Sequence, residues 1–204
     1  MADEVNATPE PARLAALASA VSDGGTLPPV HLWNPPFCGD IGMKIARDGT
    51  WFYRDSPILR PALVRLFSTI LRRDPEGYVL VTPVEKIAIE VEDAPFLAVD
   101  MRFVPDSAGG QLIFRTNLGD EVAAGPDHPL RFETGPSDGI KPYILVRGDL
   151  WALVTRALVY DLVERAEHRH HAGCVQTGVV SGGQFFVMEE APETPQDGVT
   201  GARA

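Results

Sequence analysis

Breaker residues cut this chain into pieces, which restricts where its strands and helices can run. Asp23-Gly24-Gly25, Pro28-Pro29, Pro35-Pro36, Asp74-Pro75-Glu76-Gly77 and Asp93-Ala94-Pro95 each end or interrupt a segment. Proline fixes φ and lacks a donor, whereas glycine populates positive φ. No apolar run approaches the roughly 18–20 residues that span a bilayer, and Arg65, Arg72 and Arg73 interrupt the best candidates. The chain is read as not membrane-spanning.

Between the breakers, residues 12–21 read as a short amphipathic helix and 31–40 as an extended connector. Residues 41–47 and 50–54 flank Asp48-Gly49, the dipeptide best suited to a tight hairpin turn. Leu59, Leu63, Leu66, Phe67, Ile70 and Leu71 recur at helical spacing and predict a helix over 61–73. Residues 78–82, 85–91 and 96–104 follow as a β-rich meander, the last with Leu97, Val99, Met101 and Phe103 on one face and Asp100 and Arg102 on the other. A second series runs through 111–116, 130–133 and 143–147. It leads to a helix over 150–165, with Asp149 as its N-cap and a stripe of Leu150, Val154, Ala157, Leu158 and Leu162. Residues 175–180 and 184–188 make a closing hairpin through Ser181-Gly182-Gly183.

This order predicts an α+β chain of two tandem units, each an antiparallel sheet packed on one main helix. Their similar order of elements, with Ala-Leu-Val shared by 62–64 and 152–154, suggests a duplication. The expected divisions are 1–27 for an N-terminal helix and linker, 28–110 and 111–188 for the two α+β domains, and 189–204 for a tail of disordered composition.

Composition narrows the function classes. Apolar residues at 45% and charged residues at 23% are those of a globular protein. A formal net charge of -10 opposes extensive contact with a nucleic-acid backbone. The first residues include Asp3 and Glu4 and lack a signal sequence's basic start, so the cytoplasm is the expected location. Cys38 and Cys174 are read as reduced thiols.

No motif states a chemistry. His168-Arg169-His170-His171 reads as the solvated end of a helix rather than a metal site, and His31 and Cys38 lack accompanying zinc-ligand spacing; no metal or cofactor is expected. The glycine pairs at 109–110 and 182–183 lack the setting of a phosphate loop, and Ser68 and Ser181 that of a nucleophile elbow. Asp40, Glu85, Glu90, Asp100 and Asp120 could be paired for acid–base work only if the fold gathers them. Ten side chains stand in otherwise apolar or turn-rich strings: Trp33, Asn34, Asp40, Arg60, Thr82, Glu85, Lys86, Thr116, Asn117 and Arg147. One reading is local, with Asn34, Asp40, Thr82 and Asn117 stabilising turns and Arg60 pairing with Glu85. The other gathers several of them around a cleft between the units.

Several strings together resemble the bacterial family known as domain of unknown function 1285. They include Cys38-Gly39-Asp40-Ile41, Asp48-Gly49-Thr50-Trp51-Phe52-Tyr53, Leu80-Val81-Thr82-Pro83-Val84-Glu85-Lys86, Val91-Glu92-Asp93-Ala94-Pro95-Phe96 and Phe114-Arg115-Thr116-Asn117. The resemblance spans about residues 28–188 and departs at Gly42, where many members carry an acid. It implies a duplicated two-domain fold, a C-terminal unit similar to pleckstrin-homology domains, and a nucleotide-like ligand between the domains in a signalling role. The expectation is therefore a small-ligand-binding regulatory module, with Arg60, Lys86 or Arg147 near an anionic group and Trp33 stacking on a base. The alternative is a small hydrolase using the scattered acids.

Overall fold

The computed structural model describes residues 11–21, 27–106, 109–135 and 139–192. The chain begins with α1 (Pro11–Val21) and a short 3-10 turn (Val30–Leu32). Strands β1 (Phe37–Ile45), β2 (Trp51–Tyr53) and β3 (Ser56–Pro57) follow, then α2 (Pro61–Thr69). Strands β4 (Leu71–Asp74), β5 (Gly77–Val81) and β6 (Lys86–Val91) complete the first unit. The second contains β7 (Phe96–Val104), β8 (Gln111–Thr116), β9 (Glu121–Ala123), β10 (Leu130–Thr134), β11 (Ile140–Arg147) and β12 (Leu150–Val154). It is followed by α3 (Arg156–Glu164) and a three-stranded sheet of β13 (Glu167–His171), β14 (Cys174–Ser181) and β15 (Gln184–Pro192).

The two six-stranded sheets share one topology. The first runs β3-β2-β1-β6-β5-β4 and the second, read from the matching edge, β9-β8-β7-β12-β11-β10. In each, two antiparallel meanders of three strands meet at the centre, where the first and sixth strands pair in parallel. A parallel pair needs a long crossover, and here the four intervening strands supply it. The expected duplication thus takes the form of strand order, not helix position: α2 lies between the third and fourth strands of its unit, whereas α3 follows the sixth of its own. The shared Ala-Leu-Val marks no equivalence, being helix in α2 and strand in β12.

Several expected elements change type. The helix expected over 61–73 ends at Thr69, and Leu71 instead begins an edge strand paired with β5. Residues 150–154, expected to open a helix capped by Asp149, form a central strand between β11 and β7; Leu150, Ala152 and Val154 point inward. A five-residue apolar run satisfies either period, and the vacant slot between two strands decides it. The helix proper starts after Thr155 and buries Leu158 and Leu162, while Ala157 is exposed.

Strand β7 is not the end of the first meander. It pairs with β8 and β12, so the chain changes sheets across residues 92–95, well before the expected 110/111. Its inward residues begin as Phe96 and Ala98, and a register shift between Ala98 and Asp100 precedes the partly buried Met101. The expected single apolar face is thus broken, since a bulge exchanges the faces of a strand. The histidine cluster forms the exposed strand β13 rather than a helix end. Glu189 continues β15 to Pro192, while the rest of the expected tail, like residues 1–10 and 22–26, lies outside the described residues.

The Asp48-Gly49 hairpin is present, with Ile45 opposite Trp51. Phe67, Phe96 and Phe114 are fully buried, and Leu14 and Ala18 of α1 join the same core. The third sheet contributes Val179 and Phe186 to that core. Its turn is fastened by Ser181, whose hydroxyl donates to Ala124 O at 2.7 Å and accepts from Leu112 N at 2.8 Å.

Candidate functional site

The units meet where the C-terminal end of α2 faces the turns after β8 and β11. Arg65, on α2, donates from Nε (2.9 Å) and Nη2 (2.5 Å) to Leu118 O. Gly119, at φ +89°, admits this approach, because a Cβ there would collide with the guanidinium. From the other side, Arg147 donates to Asp120 Oδ1 at 2.9 Å and to Ser68 O at 3.0 Å, over the face of Phe96. Burial lowers the proton affinity of Arg147, and the Asp120 charge opposes that effect.

A second fastening lies at the sheet change. The side chain of Asp93 is buried and accepts from Tyr143 Oη at 2.7 Å; Lys141 Nζ lies at 2.8 Å and Arg47 Nε at 3.5 Å. Burial alone would push its carboxyl up. The hydrogen bonds from Lys141 and Tyr143 and the charges of Lys141 and Arg47 prevail and hold it below the ordinary aspartate value.

Beside Arg147 an open cleft of about 510 Å³ lies between the connector at 27–31, the α2–β4 junction and the β11–β12 turn. Leu27, Pro29, Val30, Leu71 and Leu150 give it an apolar wall, and Arg72, Arg73 and Arg147 line the other side together with His31 and the acidic Asp149. A recess of about 210 Å³ adjoins it, sharing Leu27, Thr69 and Arg147. Arg72 is committed: it grips Asp74 with Nε (2.6 Å) and Nη2 (2.9 Å), and its Nη1 donates to Val30 O and Trp33 O, each at 2.7 Å. Arg73 lies 4.4 Å over the Tyr78 ring and has no carboxylate within ion-pair distance among the described residues.

Another depression, about 540 Å³, lies against β1, β2 and β6. Asp40, Asp55, Glu90 and Glu92 outnumber Lys44 and Arg54 there, and Lys44 is already held by Glu92 at 2.6 Å and Glu90 at 3.5 Å. It suits an anion poorly. At its rim Gly42 takes φ +78°, and a Cβ would meet Arg54 Cγ at 3.2 Å.

Of the ten residues singled out from the sequence, Arg147 alone lines the interdomain cleft. Trp33 is half-buried behind it, offering its carbonyl to Arg72, and Asn34 is exposed. Asp40 accepts from Gly42 N at 2.7 Å within β1. Arg60 is exposed at the N-cap of α2, so it does not pair with Glu85, which lies buried 3.6 Å from Arg13. Thr82 is buried and closes its turn by accepting from Glu85 N at 3.2 Å. Lys86 is bound to Asp74 at 3.0 Å. Thr116 donates to Asp120 Oδ2 at 3.1 Å, steadying the partner of Arg147. Asn117 accepts from Leu97 N at 3.0 Å and abuts Gly49 of the first unit.

Local side-chain hydrogen bonds therefore account for Asp40, Thr82 and Thr116, whereas Asn117 bonds to Leu97, 20 residues away. Of the five acids, only Asp40 and Glu90 share a depression, the one against β1, β2 and β6; Asp100 is paired with Arg115, Asp120 with Arg147, and Glu85 lies beside Arg13 of α1. Sequence reasoning missed Arg73 and Arg72. Their adjacency at the end of an apolar stripe was visible, but only the strand they enter turns one toward Tyr78 and the other toward Asp74. Among the described residues no group of three or more His, Cys, Asp or Glu side chains is arranged to hold a metal ion, and no helix is long and apolar enough to cross a membrane.

Comparison with known proteins agrees with this two-unit architecture. Two family models match, the N-terminal domain of the domain of unknown function DUF1285 over residues 28–94 and its C-terminal domain over 95–188. They abut within the segment where the chain changes sheets. Among solved structures, a DUF1285 family protein from Silicibacter pomeroyi DSS-3 is 46% identical with a TM-score of 0.76, over 86% of this chain and 93% of that one. A DUF1285 family protein from Shewanella baltica OS155 is 27% identical with a TM-score of 0.48, over 60% of this chain and 91% of that one. No curated protein matches the chain significantly.

Proposed function

This chain belongs to the DUF1285 family, and from that premise and its own geometry we propose that it is a cytoplasmic regulatory module that binds a small anionic ligand between its two units. The observation that carries this reading is the interdomain cleft, where three arginines against one acid, Asp149, face an apolar wall in a chain of net charge -10. An acidic protein repels anions at long range, so a basic concavity within it must act locally. Small-molecule sites commonly combine apolar walls with a few convergent polar groups at domain junctions.

The expected ligand has a planar or apolar body and one phosphate or carboxylate. The body rests against Leu27, Pro29, Val30 and Leu150; the anion reaches Arg73, whose guanidinium is not spent on a carboxylate among the described residues. Arg147 supplies a second, partly neutralised charge. A nucleotide-like molecule satisfies this description with His31, rather than Trp33, beside its base. Signalling follows if filling the cleft changes how the units hold one another.

The test is a thermal-shift screen of nucleotides and phosphorylated metabolites. A ligand at 100 times its Kd stabilises by about 2.7 kcal/mol, which at about 2–4 °C per kcal/mol for a chain of this size is a rise of roughly 5–11 °C. Arg73→Ala should abolish the rise and Arg60→Ala should preserve it. A panel without a hit, or a hit indifferent to Arg73, refutes the reading; turnover of the bound compound would replace it with an enzyme.

A further inference from the structure

The first helix holds a feature that the cleft does not explain. Glu85 is 3% exposed, its Oε2 lies 3.6 Å from Arg13 of α1, and its Oε1 has no hydrogen-bond partner among the described residues. Burying a carboxylate is costly unless it is paired and hydrogen-bonded, and Arg13 is a poor partner at that distance with half its side chain in solvent. The carboxylate is therefore a standing penalty on whatever covers it, and α1 is among the elements that do.

Helix α1 has little with which to offset that penalty. It has 11 residues, no acidic residue in its first turn and no basic residue in its last. Helices of this length are marginal on their own in water, so α1 depends on its seat against α2. Leu14 and Ala18, one turn apart, are its fully buried anchors. After α1 the described chain resumes at Leu27, which lines both chambers of the cleft; Pro28, Pro29 and Val30 continue the wall. Arg72 pins this wall on its downstream side through Val30 O and Trp33 O. Pro28 is buried within the wall, and upstream of residue 27 the nearest described anchor is α1.

We infer that α1 is a releasable strap, latched by Arg13 over the buried Glu85, whose docking holds the connector wall of the interdomain cleft in place. The inference rests on that cleft being the functional site. Release would expose Glu85 and loosen residues 27–30. By reciprocity, a ligand that touches this wall only in the docked state favours docking.

Amide exchange followed by NMR in the full chain tests the strap without any ligand, so an empty compound screen would refute the proposed function and leave this result to be judged separately. In the unaltered protein the amides of α1 should exchange at least about tenfold faster than those of α2, as a locally opening element does. Glu85→Leu, which removes the buried charge and leaves half-exposed Arg13 to water, should slow α1 exchange by roughly tenfold. Arg13→Ala should accelerate it by a similar factor, and Leu14→Asp should abolish its protection. The amides of Val30, Leu32 and Trp33, which donate to Pro28 O, Pro29 O and Val30 O, should accelerate with α1 in both releasing variants. Unchanged or faster α1 exchange in Glu85→Leu overturns the latch. Unchanged exchange at 30–33 in Leu14→Asp, with α2 still protected, overturns the link to the cleft.

Discussion

Replacing Arg147 with methionine should remove about 3 kcal/mol of stability. The guanidinium joins the units through a 2.9 Å bond to Asp120 and a 3.0 Å bond to Ser68 O. Hydrogen bonds to charged groups contribute about 1.5–3 kcal/mol each. The carboxylate of Asp120 keeps 27% of its surface in solvent, so water replaces the lost partner there and the cost falls to about 1.5 kcal/mol. Ser68 is only 3% exposed, so its carbonyl, left with the Ile70 N–H at the helix end, loses a partner that water replaces poorly, which adds roughly 1–2 kcal/mol. Methionine retains the stem that packs beneath the charge, so little apolar contact is lost. For 204 residues the expected fall in Tm is about 6–12 °C. Urea unfolding at pH 7 of Arg147→Met, Asp120→Asn and the double variant provides the measurement. A loss below about 1 kcal/mol, or single losses that add within about 0.5 kcal/mol, would refute the view that this side chain fastens the units.

Three further outcomes follow from particular contacts. Ser181→Ala should cost about 1–3 kcal/mol in urea unfolding, because it strands the buried Leu112 N–H and Ala124 carbonyl that tie the third sheet to the second. Gly49→Ala should destabilise by about 1–3 kcal/mol, since φ is +81° and the new Cβ would stand 2.9 Å from Asn117 Nδ2; Asn117→Ala should relieve part of that loss. The folded-state pKa of Asp93 lies below its unfolded value, so its contribution is fully present above about pH 4 and is lost as pH falls through the folded value. Asp93→Asn should therefore lower Tm at pH 7 and flatten its decline below about pH 4, and an unaltered acid limb would show that other carboxylates set it.

What the sequence determined by itself is the part of the structure made by neighbours along the chain. Asp48-Gly49 makes its hairpin because its flanking runs need only the turn to meet, and Thr82 and Thr116 close turns with partners within four residues. The strings from Cys38 to Asn117 likewise identified the family, since they are read in order without knowing what touches what. What only the tertiary structure decided depends on partners remote in sequence. Leu150-Trp151-Ala152-Leu153-Val154 satisfies helix and strand alike until β7 and β11 leave a slot between them, and β7 belongs to the second sheet because β12, some 50 residues on, pairs with it. Asp93 reads as part of a turn until Tyr143 arrives 50 residues later, and Arg147 resembles any surface arginine until it reaches Ser68 across 79. Local propensity acts through adjacent backbone and is written in short strings, whereas a buried charge takes its meaning from whichever distant groups the fold brings within hydrogen-bond reach.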